Sequence, residues 1–254
     1  MLQYSWVRLV KKVFYFLFIL IAFLLTYEYK EDYSIDLNQK GLDIIDAMSL
    51  LHNKTSFKKE INNKNEEIYN QIKGYLEHLK ITYEEMITEI EYKEYPLPSE
   101  QLFENNYSKI TNCISFINKE LENWYKISKE IKEQRVSMIH GNLETNHLIK
   151  NDRTYLISWG KSKLETPILD FVYFYHNDWE NIEFNNLLSR YLTKCELNEN
   201  EKKLLFINLA IPLEYNKTKK EIENTMNMSK FIEYIYKTEE LIRPYYSNKQ
   251  DEKN

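Results

Sequence analysis

VSMIHGNLETNHLIKNDRTYLISWGKSKLETPILD, running from Val136 to Asp170, is the stretch on which the fold turns. Its head, Val136–Ile139, has the composition of a short strand, and a polar loop follows it. Asn151-Asp152 then stands between two apolar runs; both residues tolerate turn dihedrals, so the pair predicts a β-hairpin. Thr166 to Tyr175, TPILDFVYFY, predicts the start of a helix. Thr166 is its expected N-cap, Pro167 its first helical residue, and Asp170 lies near the first turn. The order is strand, polar loop, hairpin, helix.

With His140-Gly141 heading the loop, this order resembles the catalytic centre of the aminoglycoside phosphotransferase and choline kinase family, which uses a kinase-like fold. The family pattern is His-Gly-Asp, then an Asn, then a hairpin ending in Asp. The resemblance puts Asn142 at the position of the catalytic Asp, His147 at that of the metal-binding Asn, and Ser158 at that of the hairpin Asp. It also implies a loop shaped by His140 and Gly141 and braced by Asp170 from the next helix.

The chemistry does not follow the frame. Phosphoryl transfer needs a carboxylate to orient and deprotonate the attacking hydroxyl, and oxygen ligands to hold magnesium. The amide of Asn142 can hydrogen-bond but cannot take a proton at neutral pH. Magnesium prefers hard oxygen ligands, so His147 and Ser158 are poor replacements. Asn146, one position early, restores at most one ligand. The expectation is a degenerate centre with no nucleotide, no metal and no other cofactor. His140 and His147 are the one histidine pair with any metal-like spacing.

Working outward, the 254 residues are 43% hydrophobic and 29% charged, enough to bury a sizeable core. A net charge of −5 leaves no basic surplus to neutralise phosphates and argues against nucleic acid as a partner. Four glycines and five prolines suit a mostly helical chain. Cys113 and Cys195 form no metal pattern, and their apolar helical contexts predict buried thiols rather than a disulfide.

Val13 to Tyr27, VFYFLFILIAFLLTY, is an apolar run preceded by Arg8, Lys11 and Lys12 and followed by Glu28, Glu31 and Asp32. It is expected to be a membrane helix, with two alternatives left open: a buried core element and a signal peptide. A kinase-like fold opens with a sheet lobe carrying a Gly-rich loop and a strand lysine on the phosphates. No glycine precedes Gly41, so that lobe is expected to be missing or vestigial.

The middle reads as helices. Gly41 to His52 places Leu42, Ile45 and Met48 on one stripe, and its Leu-His ending resembles the family helix after the interlobe hinge. Thr55 or Ser56 is the expected N-cap of a helix running from Phe57 to Tyr92, ended by Pro96 and Pro98. Phe103, Tyr107, Ile110, Ile114, Ile117, Leu121 and Trp124 form a heptad seam. It predicts an intramolecular helical hairpin and leaves a homodimer open. His52, His78 and His176 are read as surface or boundary residues. Further helices are expected at Phe184–Leu192, at Glu199–Leu213 with Pro212 interrupting, and at Ile222–Ile242. The stretch Asn198 to Tyr215 resembles the spore-coat branch of the same family.

The whole chain is therefore expected to be α+β and mostly α. It would be a kinase-like large lobe (35–245) with a small β-hairpin at the degenerate centre, between an apolar N-terminal segment (1–34) and a polar tail (246–254). The expected function is a catalytically inactive, phosphotransferase-like binding or scaffold protein with a protein partner, membrane-associated through Val13–Tyr27. Cytoplasmic and spore-coat locations remain alternatives. One rival is an active small-molecule phosphotransferase using Glu144, Asn146 and Asp152. Another is a membrane-anchored helical interaction protein.

Overall fold

The computed structural model describes residues 36–61, 63–150 and 154–247. The apolar run Val13–Tyr27, the hairpin tip with Asp152, and most of the polar tail lie outside them. Helix α1 (Leu37–Thr55) buries Gly41, Ile44, Ile45, Met48, Ser49 and His52 on one side. Gly41 lets the helices approach closely there: a Cβ would sit 3.0 Å from Leu187 Cδ1 of a packed helix. Thr55 and Ser56 do not cap a following helix. Their hydroxyls donate back to Leu51 O (2.8 Å) and His52 O (2.6 Å), closing α1 instead.

The residues expected to begin the next helix form strand β1 (Phe57–Glu60), antiparallel to β2 (Glu133–Ile139) with Phe57 opposite Val136. FKKE has little strand character of its own, and pairing with β2 overrides its local preference. Asn63 then takes left-handed dihedrals (φ 56°), which Asn tolerates, and α2 (Lys64–Glu91) starts after it. Pro98 opens α3 (Pro98–Ser128), where Pro lacks only an amide that has no helical partner. The Leu97 amide just before it donates to the Glu100 carboxylate at 3.0 Å.

Helix α3 is the centre of the molecule. Its seam residues Phe103, Ile110, Ile114, Ile117, Leu121 and Trp124 are all buried. It packs against α2 as the hairpin reading expects, and also against α6 (Glu199–Ala210) and α7 (Glu221–Ile242), so its apolar surface is filled from within the chain. Helix α6 starts on a capping box: Asn198 Oδ1 accepts from Glu201 N–H and the Glu201 carboxylate accepts from Asn198 N–H, both at 2.9 Å. It ends at Ala210, because the residue before Pro212 is pushed out of helical dihedrals and Ile211 has ψ 117°.

Strand β2 sits between β1 and β5 (Lys163–Glu165) in a three-stranded sheet. β3 (Leu148–Lys150) and β4 (Thr154–Leu156) pair as the expected hairpin. Helix α4 (Ile168–Asp178) follows β5, with α5 (Phe184–Cys195) packed on α1. Thr166 does not cap α4 with its side chain. Pro167 already has helical dihedrals (φ −60°, ψ −25°), and the Thr166 hydroxyl is buried without a partner. Both cysteines are free thiols. Among the described residues no helix is long and apolar enough to cross a membrane.

Candidate functional site

The polar loop leaves the buried end of β2 and runs from His140 to a short 3-10 turn at Thr145–His147. Its amides would be costly to bury unpaired. Helix α4 answers them. Asp170, fully buried, accepts from His140 N–H at 2.8 Å through Oδ2 and from Gly141 N–H at 2.7 Å through Oδ1. Two turns further along the same helix, Asp178 accepts from Thr145 N–H (2.7 Å) and Thr145 Oγ1 (3.0 Å). Asn177 donates to Leu143 O at 2.8 Å. Residues seven and eight apart recur on one helical face, so one straight helix reads the whole loop backbone.

A fourth contact comes from α1. His52 is 1% exposed, and its Nε2 donates to Asp170 Oδ2 at 3.0 Å. This corrects the reading of His52 as a surface or boundary residue. The signal was in the sequence, since Gly41, Ile45, Met48 and His52 recur at helical spacing. A histidine on a core stripe needs a buried acceptor, and the carboxylate of Asp170 supplies it. Asn177 and Asp178 were also missed. A charged and an amide side chain closing an apolar helix could have suggested a second brace.

Gly141 has φ 78°, and a Cβ there would stand 2.3 Å from the backbone oxygen of Lys161. Only glycine fits both the dihedral and the approach. His140 Nε2 donates to Ile157 O at 2.6 Å, and its ring meets Trp159 edge-on with centroids 4.8 Å apart. The loop is thereby fastened to the hairpin as well.

The outward-facing side chains are arranged differently. Asn142 Oδ1 accepts from Lys161 Nζ at 3.0 Å, and Asn142 O accepts from His147 Nδ1 at 2.6 Å. His147 Nε2 lies 2.9 Å from Glu144 Oε1. Ser158 is exposed in left-handed dihedrals (φ 67°, ψ 41°), and its side chain makes no hydrogen bond to the loop. Asn146 is exposed. The rings of His140 and His147 are 5.5 Å apart, but Ile157, Asn142 and Glu144 already occupy three of their nitrogens. Among the described residues no group of three or more His, Cys, Asp or Glu side chains could hold a metal. Below the loop, burial would raise the Glu165 carboxyl, but Lys64 and the Thr166 amide outweigh it and hold the group below its ordinary value.

Elements and site together define a mostly helical α+β protein with a polar loop clamped from behind by one helix. The chain matches no family model and no curated protein. Among solved structures it is similar to the crystal structure of spectinomycin phosphotransferase, APH(9)-Ia, in complex with ADP and spectinomycin. Identity is 13%, the TM-score is 0.37, and the likeness covers 82% of this chain and 67% of that one. A likeness so distant carries no argument about chemistry.

Proposed function

We propose that this chain is a relative of the kinase-like phosphotransferases in which the loop persists as a structural frame, and that it acts by binding rather than by phosphoryl transfer. One observation carries the reading. Asn142, at the position where a general base would stand, is a neutral amide whose oxygen is taken by Lys161 at 3.0 Å. The two carboxylates beside the loop, Asp170 and Asp178, are buried and engaged by loop donors, so neither is open to a hydroxyl or a metal. Loss of a general base alone slows such a reaction by about 10²- to 10⁴-fold. A scaffold or coat role follows from the likeness of Asn198–Tyr215 to the spore-coat branch, and membrane association from the apolar run Val13–Tyr27.

Melting the protein with and without ATP and magnesium tests this. Binding at 100 times Kd would add about 2.7 kcal/mol, a plain shift of the curve. The expected result is no shift and no ADP release; a magnesium-dependent shift overturns the reading. The Glu144–His147 contact at 2.9 Å favours a second reading, in which that pair serves as a displaced base for a small substrate. Slow ADP release abolished by Glu144→Gln would select it.

A further inference from the structure

Away from the loop, α3, α6 and α7 enclose a cavity of about 380 Å³. Its walls are Cys113 and Phe116 of α3, Ala210 of α6, and Ile235 and Ile242 of α7. Asn112 and Tyr246 also line it, and the Tyr246 hydroxyl is buried without a hydrogen-bond partner. The Cys113 thiol lies 3.5 Å from Ala210 O, and burial pushes its pKa up to about 12, so it stays neutral and behaves as an apolar wall. The Thr238 hydroxyl is shared with Tyr175 Oη at 2.8 Å. The volume is that of a small-ligand site.

The mouth has the opposite character. Lys109 and Arg243 both reach the carboxylate of Glu239, Arg243 at 2.8 Å, and the Lys109 ammonium lies 4.4 Å from the centre of the Tyr236 ring. The side chain of Lys109 is only 22% exposed. An ammonium has three N–H donors and Glu239 takes one, so Lys109 can receive a second carboxylate. A cationic head group would instead meet Lys109 directly.

We propose that this cavity binds a small amphipathic carboxylate, its apolar chain between α3, α6 and α7 and its carboxylate on Lys109. The site is separate from the loop and does not depend on how the loop is read.

Calorimetric titration of the full chain with octanoate, octanol and octylammonium tests the proposal. Octanoate should bind one to one and saturably, octanol at least tenfold more weakly, and octylammonium not at all. Lys109→Met should weaken octanoate at least tenfold and leave octanol unchanged. Ala210→Phe, which fills the cavity, should abolish both. If that variant fails to melt cooperatively, Lys109→Met decides alone, since its side chain sits at the mouth and not in the packed wall. Equal binding of octanoate and octanol, an unchanged octanoate affinity in Lys109→Met, or no binding of any of the three overturns the proposal.

Discussion

The back and the front of the 140–147 loop obey different rules. At the back, Asp170, Asp178, Asn177 and His52 are directed at backbone groups and at each other, and both aspartates are almost wholly buried. At the front, Asn142 pairs with Lys161 and His147, and His147 with Glu144, at partly exposed positions, while the Ser158 side chain makes no hydrogen bond to any of them. Buried polar groups hold the loop because leaving any one unpaired is expensive, whereas exposed pairs of similar length contribute little. A loop of this kind can lose its outward chemistry and keep its shape.

The contrast should be widest at Asp170. Asp170→Ala strands three donors in a dry site and should cost about 3–5 kcal/mol in urea unfolding. A loss below about 1 kcal/mol would mean that the back does not hold the loop.

The far face of the same helix sharpens the comparison through pH. His176 is pushed down to about 4 by burial, and its Nε2 is buried with no partner, so a second proton there finds no acceptor. Its folded pKa lies below the unfolded value of 6.5, so the unfolded chain binds the proton first. Stability should be complete above about pH 6.5 and decline by up to about 3 kcal/mol as the pH falls towards 4. Replacing His176 with Phe should flatten that slope, and an unchanged slope would place the titrating group elsewhere.

Gly141→Ala tests the join of back and front. The strained φ and the clash with Lys161 O together should cost about 2–3 kcal/mol. Asn142→Ala and Lys161→Ala, at the front, should each change stability by less than about 0.5 kcal/mol. Should either cost as much as Asp170→Ala, front and back would be one structural unit and the contrast would fail.

Much of this architecture was readable before the fold was seen. The heptad from Phe103 to Trp124 marked α3, Asn151-Asp152 marked the β3–β4 hairpin, and Pro98, Pro167 and Pro212 each stand at or just beyond a helix end. His140, Gly141 and Asp170 were singled out through the family resemblance rather than through local pattern. Phe57–Glu60 was not readable, because its strand exists only by pairing with β2, 79 positions away at Val136 opposite Phe57. Nor was the role of Thr166, displaced as a cap once Pro167 entered the helix.

Local chemistry therefore determined where most helices run and where the chain turns, since periodicity and turn dihedrals act within a few positions. The meeting of His52 with Asp170, 118 positions apart, was decided by the tertiary structure alone. So was the enclosure of a cavity by α3, α6 and α7. A buried polar side chain states that it needs a partner, but the partner is chosen by how the helices pack, and packing is a property of the whole core.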